Sequence, residues 1–128
     1  MTSEFFQQGL VAYQNLFWPE FVEYDNCVFL AFDNVIYQQW LQRLNGNKRE
    51  VEEVMNHRHI VDLLPASVDN PTQNLVLEFG KLLRELWDTK LKRDFPTKCF
   101  CVSFPLEKSE ALTDYEITFY QRLEVSTV

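Results

Sequence analysis

The sequence predicts an α+β fold, a single domain in which an antiparallel sheet of three to four strands carries helices packed mainly on one face. Three observations lead to this prediction. Large apolar side chains recur at spacings of three and four between residues 75 and 91, which is the period of a helix with one buried face. Residues 99–104 and 115–120 instead alternate apolar and polar side chains, as strands with one buried face do. The chain of 128 residues has the size of one ordinary domain, so we assign residues 1–128 to it.

The N-terminal part of the chain is predicted to begin with a helix and a strand. Ser3 can cap a helix over residues 4–17, whose buried face would consist of Phe6, Leu10, Tyr13 and Phe17. Residues 20–26 are expected to form a loop or a short edge strand. Residues 27–32 are apolar on both faces, which indicates a central strand of the sheet.

Two further helices are predicted before the middle of the chain. Asn34 would cap a helix that runs through residue 44, with an inward face made of Ile36, Tyr37, Trp40, Leu41 and Leu44. Asn45-Gly46 would supply the left-handed residue that ends this helix. Asn47 and Glu50 form a capping box for a short helix whose inward residues would be Val51, Val54 and Met55. Residues 60–64 fit either the end of this helix or a short strand.

A long helix is predicted from Asn70 to Asp94. Asn70 suits the N-cap, Pro71 the first helical position and Gln73 a capping box. The buried face would consist of Leu75, Phe79, Leu82, Leu83, Leu86, Trp87 and Leu91. Phe95-Pro96 ends the helix, because the residue before a proline avoids the α region.

The two C-terminal strands are predicted to contribute the rest of the core. Their buried faces would consist of Phe100, Val102, Phe104, Tyr115, Ile117 and Phe119. Burying each such side chain is worth about 1.5–3 kcal/mol. The polar loop over residues 105–114 is long and is expected to be mobile, but it still permits antiparallel pairing. The opposite face, which includes Glu116, Thr118 and Tyr120, is mixed, so it is expected to be either half-covered or a functional surface.

Composition argues against several classes of function. The formal net charge of −7 disfavours nucleic-acid binding, which requires phosphates to be neutralised. No segment is apolar and long enough to span a membrane, and the N-terminus lacks the basic start of a signal peptide. Three cysteines, an odd number, argue against a secreted disulfide framework, so we expect a cytoplasmic protein. The sequence has no P-loop, no Gly-rich dinucleotide turn and no GxSxG elbow, and no cofactor is predicted.

Charge and aromatic content favour an interaction. No Lys or Arg precedes Arg43, whereas six of the twelve cations lie between Lys81 and Lys98. Aromatic residues make up 15% of the chain, and large aromatic side chains are enriched at interfaces. Our first functional hypothesis is therefore a small interaction or regulatory protein that acts as a homodimer, with a further protein partner as an option.

Histidines and cysteines are the candidates for metal chemistry. His57 and His59 point the same way only on a strand, where they could bind a transition metal. No third ligand stands at a recognisable spacing, so no metal is predicted. Cys99 and Cys101 would share a strand face and could form a three- or four-ligand site with Cys27 and a histidine. Buried cysteines, however, commonly pack as small apolar residues.

Tyrosines are the remaining site candidates. Tyr24 lies in the acidic, aromatic segment before the first strand, and Tyr115 and Tyr120 lie on the last strand near Glu116. Tyr, Glu and His side chains that line a cleft would suit a small-ligand site. The alternative functional hypothesis is therefore a small-ligand-binding domain or an enzyme with an aromatic-lined pocket.

Two segments of the chain resemble small uncharacterised bacterial proteins. One is Trp18-Pro19-x-Phe21-Val22-Glu23 leading to Cys27-Val28-Phe29-Leu30. The other is the tail with Trp87, Leu91, Asp94-Phe95-Pro96, Phe100-x-Val-x-Phe104 and Asp114-Tyr115-x-Ile-x-Phe-x-Gln121. The resemblance implies no known activity and no catalytic residue. A helix before a curved antiparallel sheet is also similar to cystatin-like and nuclear-transport-factor-like folds, which implies a cone with an internal pocket as an alternative architecture.

Overall fold

Helices and short strands are interspersed along the chain. The computed structural model describes residues 13–105, 107 and 109–122. Residues 13–17 form a helical segment, α1, and the later helices are α2 (Asn34–Arg43), α3 (Lys48–Met55), α4 (Ile60–Leu63) and α5 (Gln73–Asp94), with a 3₁₀ turn at Leu112–Asp114. The strands are β1 (Val22–Tyr24), β2 (Cys27–Phe29), β3 (Arg58–His59), β4 (Phe100–Ser103) and β5 (Glu116–Gln121). These elements confirm the predicted α+β class.

The strands form two separate antiparallel sheets. β1 and β2 make a hairpin in which Glu23 pairs with Val28. The two residues of its turn, Asp25 and Asn26, have φ values of 53° and 66°, the positive pair that a type I′ hairpin turn requires. The second sheet has the order β3-β5-β4. The antiparallel pairing predicted for the two C-terminal strands is confirmed, with Val102 opposite Phe119.

α5 packs its apolar face on the three-stranded sheet. The predicted inward residues Leu83, Trp87 and Leu91 are buried there, in one cluster with the strand residues Phe100, Val102, Phe104, Tyr115, Ile117 and Phe119. The prediction was wrong for Leu75 and Leu82, which are 42% and 47% exposed. The buried stripe instead begins with Val76, Leu77 and Gly80.

α3 covers part of the opposite sheet face, which the sequence left open. The Thr118 hydroxyl on that face donates to the Glu53 carbonyl at 2.5 Å. The Arg49 guanidinium lies 4.7 Å from the centre of the Tyr120 ring. A second, smaller cluster of buried residues lies between α2, α3 and the hairpin, and consists of Cys27, Phe29, Tyr37 and Val51.

β2 is buried as predicted, but it is not a central strand. It is three residues long, and β1 is its paired neighbour. On its other edge, the Val28 N–H donates to Oε2 of Glu52 at 2.9 Å, and the Val28 carbonyl accepts from Nδ2 of Asn56 at 3.0 Å. The Leu30 N–H donates to Oδ1 of Asn56 at 3.0 Å. Side chains from α3 therefore take the place of a neighbouring strand.

The same two side chains bind the edge of β5 beyond its pairing with β3. Nδ2 of Asn56 donates to the Phe119 carbonyl at 3.2 Å, and Oε1 of Glu52 accepts from the Gln121 N–H at 2.9 Å. Glu52 and Asn56 are 1% and 0% exposed, and they lie one helical turn apart. They supply the partners that buried backbone groups need, and they join the two sheets through α3. Neither residue was predicted to be buried.

Two helices begin at caps that differ from the prediction. Thr72, not Asn70, caps α5, because its hydroxyl accepts from the Leu75 N–H at 3.1 Å. Asn70 has a φ of 50° and lies outside the helix. Asp33, not Asn34, caps α2 through its side-chain oxygen. In both cases two good capping residues stand close together, and local sequence does not rank them.

Other predicted helix ends are confirmed. Asn47 caps α3 by accepting from the Glu50 N–H at 3.2 Å. Asn45 and Gly46, after α2, both have positive φ. Residues 60–64 form neither the end of α3 nor a strand, the two predicted options; Ile60–Leu63 is a separate short helix, α4, which follows the two-residue strand β3. None of the described helices is both long enough and apolar enough to cross a bilayer.

The N-terminal part of the predicted first helix, residues 4–12 with Phe6 and Leu10, lies outside the described residues. In α1, Tyr13 is exposed and Phe17 is half-buried. Nε1 of Trp87 donates to the Leu16 carbonyl at 2.9 Å, which attaches α1 to α5.

Some acidic residues of the N-terminal third form ion pairs with lysines from later in the chain. Lys98 lies 3.5 Å from Glu23, and Lys48 lies 3.3 Å from Asp25. A hydrogen bond from the Tyr37 hydroxyl, together with Lys48, lowers the pKa of Asp25. Part of the acidic N-terminal third is therefore paired with cations of the same molecule, which reduces the charge left for a partner.

Candidate functional site

A groove of about 630 Å³ opens beside the sheet face that carries Glu116 and Thr118. Its lining residues come from the end of α3, the end of β4 and the beginning of β5; they are Glu53, Val54, His57, Ser103, Phe104, Pro105, Asp114, Glu116 and Thr118. Alternation along β5 places Glu116 and Thr118 in the groove, because these side chains point away from the core that contains Ile117 and Phe119. Among the described residues of this lining, Phe104 is the one Phe, Tyr or Trp, so the described wall differs from an aromatic-lined pocket.

His57, His59 and Glu116 converge at one end of the groove. The pairing of β3 with β5 places His59 opposite Glu116. Nε2 of His57 lies 3.2 Å from Oε1 of Glu116, and Nδ1 of His59 lies 3.5 Å from the same oxygen. The imidazole rings are nearly perpendicular, with centres 4.9 Å apart. Two histidines two residues apart therefore share one side, as the sequence analysis required of a strand.

The backbone around His59 favours one tautomer of its ring. Nδ1 of His59 lies 3.0 Å from the Thr113 carbonyl oxygen. A carbonyl can only accept a hydrogen bond, so in this contact Nδ1 carries the proton. The Glu116 carboxylate lies 3.5 Å from the same nitrogen, so both neighbours of the ring, Thr113 and Glu116, contact Nδ1.

Tyr115 supports the site without lining it. Its ring is fully buried, and its hydroxyl accepts from the Ser109 N–H at 2.7 Å. The Ser109 hydroxyl in turn donates to Asp114 at 2.5 Å. Tyr115 thus anchors the loop that carries Asp114, which lies on the rim of the groove.

The other two tyrosine candidates lie elsewhere. Tyr24 is on β1, where its ring centre is 4.3 Å from that of Phe32. Tyr120 lies further along β5, opposite Cys101 on β4. A hydrogen bond with Cys101 raises the pKa of the Tyr120 phenol. Neither tyrosine is among the residues that line the groove.

The structure does not gather the thiols into a metal site. Cys27 is buried in the smaller core cluster, and this burial raises the pKa of its thiol to about 11. Cys99 is exposed and Cys101 is half-buried, and all three cysteines are free. Within the described part of the chain, the group of three possible metal ligands that forms is His57, His59 and Glu116.

The sequence pointed to the histidines and to Glu116 separately. A local pattern could not show that these residues meet, because a strand of two residues is too short to show periodicity. Its register with β5 depends on a contact between distant segments of the chain.

Comparison with family models, curated proteins and solved structures finds no match to this chain. The function is therefore argued from the geometry of the groove.

Proposed function

We propose that the protein binds a small, positively charged ligand in this groove. The observation that supports the proposal is the composition of the lining, which holds the carboxylates of Glu53, Asp114 and Glu116. No Lys or Arg is among the described residues that line it. A volume of about 630 Å³ is in the range of small-molecule sites.

The groove also offers apolar contacts. Val54, Phe104 and Pro105 form part of its wall. Apolar walls with a few convergent charged groups are typical of sites that bind small organic molecules. An opposite charge 4 Å from a carboxylate near a protein surface gains about 4 kcal/mol before desolvation is counted. The ligand class that fits best is a small amine with an apolar body. A cytoplasmic location is part of the proposal, and the three free cysteines support it.

An NMR titration with three matched probes tests this proposal. We expect 2-phenylethylamine, added in the presence of EDTA, to cause saturable shifts of the amide signals of Val54 and Glu116. Phenylacetate, which has a negative charge, and 2-phenylethanol, which has none, should not saturate there. Glu53→Gln should weaken amine binding about fivefold, because it removes one partly exposed charge contact.

Glu50→Gln is the matched control, because Glu50 is an exposed carboxylate on the same helix and does not line the groove. It should leave amine binding unchanged. Equal responses to all three probes, or no saturable response to any of them, would contradict the proposal.

A second candidate function is self-association, and one surface favours it. Val35 and Ile36, at the beginning of α2, are 65% and 45% exposed, although Ile36 was predicted to face inward. An apolar depression beside them is lined in part by Phe32, Trp40 and Met55. Clustered apolar side chains at a surface are characteristic of protein interfaces, and a second copy of the chain is the proposed occupant.

Sedimentation velocity over a wide concentration range tests the dimer. The wild-type protein should sediment as a dimer at high concentration, and Val35→Glu should return it to the monomer. Leu82→Glu, a change at an exposed leucine of α5, is the control and should leave the dimer intact. A monomer at every concentration would rule out this second function.

A further inference from the structure

We propose that His57, His59 and Glu116 bind one divalent transition-metal ion at the end of the groove. The inference rests on the proposed function, because the same negatively charged lining that would attract an amine would attract the ion. It goes beyond that function by naming the ion class and its three protein ligands. The remaining open coordination position would face the rest of the groove.

The first support is the spacing of the donor atoms. One ring nitrogen of each histidine and one carboxylate oxygen of Glu116 lie within 4.8 Å of one another. Zinc binds such atoms at about 2.0–2.2 Å, so two ligands of a tetrahedral ion lie roughly 3.4 Å apart. The separation of Nε2 of His57 and Oε1 of Glu116 is 3.2 Å, close to that value. Only small side-chain movements are needed to bring this pair onto one ion.

The second support is the chemistry of the donor set. Imidazole nitrogens suit zinc, iron, cobalt, nickel and copper, whereas magnesium and calcium require oxygen ligands almost exclusively. Two histidines and one carboxylate leave at least one coordination position open, as in catalytic rather than structural zinc sites. Glu53 and Asp114, which also line the groove, add negative charge that attracts a cation.

The third support is the way in which the side chains are held. Glu116 and His59 are paired residues of neighbouring strands, so their backbone positions are fixed relative to each other. The Thr113 carbonyl contacts Nδ1 of His59 at 3.0 Å. Metal-binding histidines usually donate their other ring N–H to such a carbonyl or to a carboxylate. With Nδ1 in this role, Nε2 is the His59 nitrogen that would bind the ion.

Arg58, between the two histidines, does not oppose the ion. Strand alternation turns its side chain to the opposite side, where it lines the depression beside α2. Its guanidinium donates to the carbonyls of Met55 at 3.0 Å and His57 at 2.7 Å. The only cation within this three-residue segment is therefore directed away from the three ligands.

The competing explanation is a simple hydrogen bond from His57 to Glu116, with no ion between them. Calorimetric titration of the full chain with zinc chloride, after treatment with EDTA and desalting, separates the two. We expect one zinc ion per chain. Glu116→Gln and His57→Ala should each lower the affinity at least about tenfold, since each removes one ligand. Magnesium chloride should give no binding heat at this site.

Three controls make the result specific. The double variant Cys99→Ser/Cys101→Ser should keep full affinity, because neither thiol belongs to the proposed site. Glu50→Gln should bind zinc within about twofold of wild type, because it removes an exposed carboxylate that does not line the groove. Zinc should also raise the melting temperature of the wild-type protein more than that of Glu116→Gln, since a ligand stabilises the state that binds it.

The outcomes decide between the inference and its alternatives. Absence of a 1:1 zinc complex would overturn the metal site, as would unchanged affinity in Glu116→Gln and His57→Ala. Loss of zinc binding in the double cysteine variant would assign the ion to the thiols and would also overturn it. The amine titration is run in EDTA, so saturable amine binding without zinc binding would remove only this inference. Failure of the amine titration would remove the proposed function, and failure of both titrations would remove the two proposals together.

Discussion

Asn56→Ala is expected to lower the free energy of unfolding by at least about 3 kcal/mol. The amide of Asn56 is the partner of the Val28 carbonyl, the Leu30 N–H and the Phe119 carbonyl. Asn56 itself is fully buried, so water does not replace it without rearrangement. Each buried polar group left without a partner costs about 1–3 kcal/mol, and alanine leaves two buried carbonyls and one part-buried N–H without theirs.

Urea unfolding followed by tryptophan fluorescence measures this effect. Asn74→Ala is the matched control, because Asn74 is an exposed asparagine in a helix. It should change stability by no more than about 0.5 kcal/mol. Asn56→Asp gives a second comparison, since an ionised carboxylate can accept from Leu30 but cannot donate to the two carbonyls. If Asn56→Ala lowers the free energy of unfolding by less than about 1 kcal/mol, the connection between the two sheets does not depend on this side chain.

Gly80→Ala is expected to destabilise the protein by about 2 kcal/mol, although alanine normally favours a helix over glycine by about 1 kcal/mol. A Cβ atom at position 80 would lie 2.1 Å from Cζ and 2.3 Å from Cε1 of Phe104. The Phe104 ring is buried against α5, so it can move away only by disturbing its neighbours. Forcing extra atoms into a packed core typically costs about 1–3 kcal/mol.

A double-mutant cycle with Phe104→Leu identifies the cause. In the Phe104→Leu background the ring is absent, so Gly80→Ala should cost much less and can become stabilising through helix propensity. The free energy of unfolding of all four proteins is measured in the same urea series. If Gly80→Ala costs the same in both backgrounds, contact with the ring is not its cause.

These two residues connect the scaffold with the groove. Asn56 immediately precedes His57, and its hydrogen bonds fix the end of α3 from which His57 extends. Gly80 allows Phe104 to approach α5 closely, and Phe104 is part of the wall of the groove. The position of the candidate site is therefore a consequence of the packing between the sheets and their helices.

The sequence by itself determined α5, β4, β5 and the core between them. Long runs of helical period and clear alternation report which face is buried, and here that information is contained in neighbouring residues. Leu83, Trp87, Phe100 and Phe119 are accordingly buried as predicted. The Asn45-Gly46 end of α2 and the Asn47 cap of α3 were also predictable, because their chemistry is local.

Only the tertiary structure decided which groups hydrogen-bond the free edge of β2 and which residues form the candidate site. Glu52 and Asn56 read as the polar side of a short helix, yet they are buried because they bind backbone groups 24 to 69 residues away. Glu116 meets His57 and His59 only through the register of a two-residue strand. Periodicity reports the burial of one apolar face, whereas paired polar groups and strand register depend on contacts between distant segments, which no local pattern contains.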